Sequence, residues 1–347
     1  MRPTAFYAIM ATAAMVIIVY GIRQAAVIVV PFLLAIFLVI LIAPLYFWLQ
    51  KKGAPSWLAL LTLIFGLVGL GLFGANFFTN AINEMITNLP KYQRELSFQI
   101  NDSVDWLEAK GVKVEDDIVN QIFDTSALFR QTRDLLNKLG GILSNAFIII
   151  LMAIFILMEA ARLPQKIRNL PGMTNNRWYD LVRIVESVRK YMGMKAVMST
   201  LTGILVTALL YIMGVDYPIL LGVLAFLFNF VPSIGSIFAS IPGIILALIL
   251  HGPGEAMIVT IGYVVINVGV SNLLEPRYMG KGLGLSPMII IVTLFLWAWM
   301  LGPIGMLLSV PLTMALKVAL EASEKTRGLA YLMSDTVPPP EDDSKSV

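Results

Sequence analysis

Between Pro218 and Pro311 the chain carries two apolar segments, each broken in the middle by proline and glycine, and this pattern restricts the fold more than any other feature. The first runs from Pro218 through an apolar limb to Pro232-Ser233-Ile234-Gly235, then Ser240-Ile241-Pro242, and on through a second limb to Leu250. The second runs from Pro287 to Pro303-Ile304-Gly305, then Ser309-Val310-Pro311, and on to Leu320. Proline removes a backbone donor and clashes with the preceding helical turn, and glycine lowers helix stability, so the two together in mid-segment mark a break. Thirteen residues separate Pro218 from Pro232, and fifteen separate Pro287 from Pro303. As helix, such limbs span roughly 20–23 Å, short of the ~30 Å hydrocarbon core. Both segments, 218–250 and 287–320, read as helical hairpins that go into a membrane, turn and come back. Paired interrupted segments in corresponding parts of a chain point to a transporter's binding site.

The composition agrees. The 347 residues are 58% hydrophobic and 14% charged, against nearly half and about a quarter in soluble domains. The chain is therefore expected to be an all-α, polytopic integral membrane protein. The net charge of +3 lies in the loops and gives no reason to expect a nucleic-acid partner. With no cysteine, disulfides and thiolate chemistry are excluded, and a single histidine, His251, excludes a His-based metal cluster. No nucleotide motif, metal-ligand cluster or Ser-His-Asp set supports an enzyme, and no cofactor is expected.

Six full spans are expected, at about 5–21, 26–49, 57–78, 142–158, 196–213 and 256–274. The first follows Arg2 and resembles a signal peptide superficially, but it is long and a second apolar segment follows at once, so it is read as a retained helix. The domains run as follows: helices one to three over 1–79, a helical subdomain over 80–140, helix four over 141–160, a basic amphipathic segment over 161–195, a transport core over 196–322, and a tail over 323–347, disordered at its end. In the subdomain, Ile82, Met85, Leu89, Leu96, Ile100, Val104 and Leu107 approximate helical spacing. Pro90 should begin or bend a helix, and Asp124 or Ser126 should cap another that ends at Gly140. Its acids, including Glu115-Asp116-Asp117, read as a solvated face, since adjacent acids do not share a helix face. The basic segment carries an apolar stripe, Trp178, Leu181, Val182, Val185, Val188 and Met192, suited either to an anionic leaflet or to packing on the protein.

Lysine and arginine placement sets the orientation. Lys51-Lys52 and the basic segment belong in the cytoplasm, so both termini are expected there and 80–140 outside. One span, 256–274, separates the two hairpins, which then have opposite orientations and form an inverted repeat.

Within the predicted spans there is no deep ionisable side chain. Lys317 and Glu321 lie near a cytoplasmic end, where lysine can snorkel. Polar groups concentrate in the broken stretch. Asn229, Pro232, Ser233, Gly235, Ser236, Asn267, Asn272, Pro303, Gly305 and Ser309 are the candidates for a substrate path or gate, because broken helices expose amides and carbonyls that bind a solute. The serines and asparagines can equally well satisfy the broken backbone itself. Glu275, Pro276 and Arg277 are candidates for a hinge or a cytoplasmic gate held by a charge pair, or else an interfacial cap and surface pair. Gly280, Gly282 and Gly284 read as a flexible connector to the second hairpin; the spacing is not that of a P-loop.

Three stretches carry a family resemblance: Asn229-Phe230-Val231-Pro232-Ser233-Ile234-Gly235; Asn272 to Ser286, with Glu275-Pro276-Arg277-Tyr278-Met279-Gly280-Lys281-Gly282-Leu283-Gly284 at its heart; and Leu301-Gly302-Pro303-Ile304-Gly305 on to Ser309-Val310-Pro311. With Tyr191, Lys195, Ser199 and Gly203, they resemble the autoinducer-2 exporter family, most closely from about 185 to 320. The resemblance implies a bacterial inner-membrane permease, homo-oligomeric, with a pentamer plausible. It implies export of the quorum-sensing signal autoinducer-2, and some relatives are linked to sodium–proton antiport. The expectation is a secondary transporter of a small polar solute working by alternating access in the lipid bilayer, with a sodium–proton antiporter and a passive channel or scaffold as the competing possibilities.

Overall fold

The computed structural model describes residues 3–110, 125–160, 162–232, 234–279, 284–322 and 326–335. Ser233, Gly280, Gly282, Asp124, the acids Glu115-Asp116-Asp117 and the tail from 336 onward lie outside these residues. The described residues are helical almost throughout and contain no strand. Five helical stretches are long and apolar enough to cross a membrane: Ala26–Lys51, Ser56–Asp102, Arg177–Ile212, Pro253–Tyr278 and Pro287–Leu307.

Helix α1 (Pro3–Gln24) meets α2 (Ala26–Lys51) through a turn at Ala25. Its Arg23 guanidinium lies 4.9 Å from the ring centre of Trp299 in a later helix. Helix α3 (Ser56–Ala109) is a single helix of 54 residues. The span expected to end near Phe78 and the helix expected to follow in residues 80–140 are continuous in this one element. Pro90 sits inside α3 on its exposed side and neither starts the helix nor ends it. At about 1.5 Å per residue α3 is roughly 80 Å long, well over twice the hydrocarbon thickness. Its distal half pairs with α4 (Thr125–Ser144). Contrary to expectation, α4 does not stop at Gly140; it runs to Ser144, and α5 (Ala146–Ala160) follows after one distorted residue, Asn145. Ala35 and Val39 of α2, Leu63 of α3, and Ala153 and Leu157 of α5 form one buried cluster.

After the short α6 (Leu163–Arg168) comes α7 (Asn175–Ile212), 38 residues without interruption. Here too the expected separation of a basic segment from the fifth span is replaced by one helix. Thr174 caps its start by accepting a hydrogen bond from the Arg177 amide. Of the apolar stripe, Val188 and Met192 are buried on the protein, while Leu181 and Val185 remain exposed.

The first broken segment forms α8 (Pro218–Phe228) and α9 (Gly235–His251), two helices packed side by side and joined by a tip at 229–234. Its two roots rest on the distal half of α3. Asn88 donates to the Tyr217 hydroxyl at 2.7 Å, Tyr92 donates to the Asp216 carboxylate at 2.7 Å, and the Gln99 amide donates to the Ile249 carbonyl at 2.9 Å. Tyr217 holds a left-handed φ of 58° immediately before Pro218. Proline disfavours the right-handed helical region for the residue before it, and the hydrogen bonds of residues 216 and 217 fix the alternative.

Next, α10 (Pro253–Asn267) passes into a seven-residue π-helical segment, Val268–Leu274, and then α11 (Glu275–Met279). The second broken segment forms α12 (Pro287–Leu307) and α13 (Ser309–Glu321). The break falls at Gly302 (φ 69°, ψ −153°) and again at Leu308; Pro303 to Leu307 form a helical turn between, where the sequence had placed the break itself. The roots of this segment meet α14 (Arg327–Leu332) and the first half of α7: the Ser286 amide donates to the Met333 carbonyl at 2.9 Å, and Glu321 lies 3.9 Å from Arg183; at the tip, Ile304, Leu308 and Val310 share a buried cluster with Val188, Tyr191 and Met192. Phe230, at the tip of the first segment, belongs to that same cluster.

The two tips are built alike. A Cβ placed on Gly235 would stand 1.9 Å from the Phe228 carbonyl oxygen and 2.9 Å from the Val231 Cβ. A Cβ on Gly305 would stand 2.0 Å from the Trp297 carbonyl oxygen and 2.8 Å from the Leu301 Cβ. In both, the glycine lets the returning chain lie directly on the end of the outgoing helix. Gly235→Ala and Gly305→Ala are each expected to lower stability by about 1–3 kcal/mol by overpacking, read as a fall in the thermal midpoint in detergent. Gly69→Ala, with nothing within 4 Å of the new methyl, is the control that should change little.

Candidate substrate site at the tip of the first hairpin

The tip is set against α7 by a close backbone approach: a Cβ on Gly203 would meet the Gly222 carbonyl oxygen at 2.8 Å, and one on Gly222 would meet the Gly203 oxygen at 2.7 Å. That contact brings Asn229, 95% buried, against the fully buried Ser199. Asn229 donates through Nδ2 to Ser199 Oγ at 3.0 Å. Its Oδ1 faces the Ser271 hydroxyl at 3.3 Å, and that hydroxyl also lies 3.2 Å from Asn267 Oδ1, so its one proton is shared between two amide acceptors. Ser271 is presented by the π-helical segment. Such insertions rotate the side chains that follow and are frequent at functional sites. Behind Asn229 lies a small cavity between α7, α8, α9 and α10, with room for about one water molecule. Thr202, Asn229, Ser236, Tyr263 and Asn267 provide its polar residues, and every lining residue is uncharged.

One turn along both helices is a buried ion pair. Lys195 Nζ lies 2.7 Å from Glu275 Oε1 and 2.9 Å from Oε2, with side chains 7% and 13% exposed. Glu275 was expected to pair with Arg277 or to cap a helix; its partner is instead Lys195, eighty residues earlier in the chain, and Arg277 is exposed. Lys317 is corrected likewise. It does not snorkel to the surface: it is largely buried, donates to the Gly284 carbonyl and lies 3.6 Å from Glu321.

The structure brings together Asn229, Ser236 and Asn267 of the residues chosen from the sequence. Asn272, Pro276 and Arg277 are exposed and stand apart from this cluster. Gly235 and Gly305 are structural contacts at the two tips, and Pro232 and Pro303 frame them. Ser309 is buried in the second segment, where its hydroxyl donates to the Met306 carbonyl at 2.8 Å; its own carbonyl accepts from Thr313, whose hydroxyl accepts from the Trp297 indole at 3.1 Å. Ser199, Ser271, Thr202, Tyr263 and Lys195 were not among the chosen site residues. The signal was present: residues 263, 267, 271 and 275 recur every fourth position, and 195, 199, 202 and 206 fall four, three and four apart on α7, which is the spacing of one helix face.

Paired broken helices with buried polar groups at the break, set in a bundle of apolar helices, are an arrangement found in membrane transporters. The chain belongs to the AI-2E transporter family, whose model matches residues 9–325. It is 39% identical over 333 residues to a Haemophilus influenzae protein with a provisional transport-protein name, covering 93% of this chain and 94% of that one. It is 36% identical over 321 residues to the AI-2 transport protein TqsA of Escherichia coli strain K12, covering 92% and 93% of the two chains. To the E. coli protein YhhT, also provisionally named for transport, it is 32% identical over 335 residues, covering 95% of each.

Removing the carboxylate of the buried pair strands the Lys195 ammonium in a dry setting. Glu275→Gln is expected to destabilise the protein by about 3–5 kcal/mol, and joint replacement by Lys195→Met and Glu275→Leu to recover most of that loss. Thermal unfolding of the three variants in one detergent measures both effects.

Proposed function

We propose that the protein is a secondary transporter that exports a small polar metabolite, autoinducer-2, across the bacterial inner membrane by alternating access. In this scheme six helices cross the membrane, the two broken segments are re-entrant hairpins of opposite orientation, and both termini are cytoplasmic. The functional unit is a homo-oligomer, with a pentamer as the state implied by the family. Support for opposed hairpins comes from where their roots rest: those of the first on the distal half of α3, those of the second beside α14 and, through Glu321 and Arg183, the first half of α7. The observation that carries the transport role is the uncharged cluster Ser199–Asn229–Ser271–Asn267 at a helix break. The substrate follows from the likeness to TqsA alone.

Uptake of labelled autoinducer-2 into inside-out vesicles, with a proton gradient imposed and then collapsed, tests this role. Accumulation above the outside concentration that stops on collapse is the expected result. Simple equilibration would indicate a passive pathway. The chain has no cysteine, so single cysteines at Ser236 and Ile304 can be labelled cleanly. Each is expected to change its reactivity with aqueous reagents when autoinducer-2 is added, and identical labelling with and without it at both positions would refute movement of the tips.

Sodium–proton antiport is the second possibility, favoured by the buried Lys195–Glu275 pair beside the polar face. A sodium-driven pH change in liposomes that disappears in Glu275→Gln would establish it.

A further inference from the structure

Tyr263 is the one buried side chain among the described residues whose polar atom has no hydrogen-bond partner. It is 93% buried, it lines the cavity behind Asn229, and its hydroxyl is seated over Gly243 of α9, where any Cβ would lie 2.6 Å from the hydroxyl oxygen. An unpaired buried hydroxyl destabilises a fold relative to a satisfied one, and phenylalanine would fill the same ring space without it. The fold thus contains a glycine that makes room for a hydroxyl which, within this chain, bonds to nothing. Asn229, Asn267, Ser236 and Thr202 also line the chamber, whose wall is otherwise apolar; the Asn229 and Asn267 side-chain oxygens share the Ser271 proton, and the Thr202 hydroxyl donates to the Met198 carbonyl.

The charge balance limits what such a site accepts. An anion requires a cation or several converging amide protons, and a cation requires a carboxylate or a full oxygen shell. No charged residue lines the cavity. The buried lysine on this polar face is paired with Glu275 at 2.7 and 2.9 Å, and neither residue lines the chamber.

We propose that this chamber is an occluded subsite for a hydroxyl group of a small neutral polyhydroxylated solute, with the Tyr263 hydroxyl and the Asn267 amide as its hydrogen-bonding groups. The assignment rests on the transport role proposed above and specifies the class of solute. In the closed form the chamber holds one oxygen-sized group; movement of the helix ends that carry Asn229 and Ser236, both of which line it, admits the remainder of the molecule.

The test is equilibrium binding to the full-length protein in nanodiscs, with three labelled probes: autoinducer-2, ribose as a second neutral polyol, and ribose phosphate as the anionic counterpart. Wild type is expected to bind the neutral probes and to reject the phosphate. Tyr263→Phe is expected to raise the thermal midpoint, because an orphaned group has been removed, and yet to weaken neutral-probe binding about tenfold. A hydroxyl with no ligand role would give the first effect without the second. Unchanged binding of both neutral probes in Tyr263→Phe would overturn the subsite while leaving export of autoinducer-2 intact. Tyrosine-dependent binding of ribose with none of autoinducer-2 would uphold the subsite and remove autoinducer-2 as the substrate. Preference for ribose phosphate, or no binding of any probe by folded wild type, would overturn the proposal.

Discussion

Backbone amides and carbonyls within hydrocarbon must find partners inside the protein, and the architecture of this chain follows from how it meets that requirement where its helices break. At both breaks the solution is a buried glycine on which the returning chain rests against a carbonyl of the outgoing helix: Gly235 on Phe228 and Gly305 on Trp297. Irregular backbone is tolerated because it is enclosed by protein, with Phe230, Ile304 and Leu308 in one apolar cluster between the tips. The polar side chains beside the first break are buried with it, and Ser199, Asn229, Ser271 and Asn267 form a hydrogen-bonded chain there.

Much of this was legible in the residues. The Pro-Ser-Ile-Gly motif marked the first break and the Pro-Ile-Gly motif fell between the two bends of the second, and of the polar residues chosen from the sequence Asn229, Ser236 and Asn267 line one cavity. What composition could not reveal was continuity. Pro90 signals a helix boundary by itself, but on the exposed side of a long helix the one missing donor is easily accommodated, and α3 runs straight through it. Similarly, a change from basic amphipathic to apolar sequence near residue 195 suggested two elements, although nothing there interrupts the α-helical hydrogen bonds of α7.

Long-range pairing was hidden for a different reason. Glu275 has Arg277 two residues away, and local sequence favours the near partner. Across a helix, however, residues two apart face different directions, so the neighbour is turned to the surface while Lys195 is brought in by packing of α7 against the π-helical segment. The fourfold spacing from Tyr263 to Glu275 was readable as a face, but its meaning depended on which helix stood opposite. The insertion at Val268–Leu274, which sets the direction of Ser271, leaves no signature in the residue types.

Helix α7 touches both broken segments, through Gly203 and Ser199 on one and through Val188, Tyr191 and Met192 on the other. Between these two sets it has no proline and no break. It is therefore one continuous rod shared by both broken segments, and under the transport role proposed above a displacement of either tip would load the helix that the other tip also leans on.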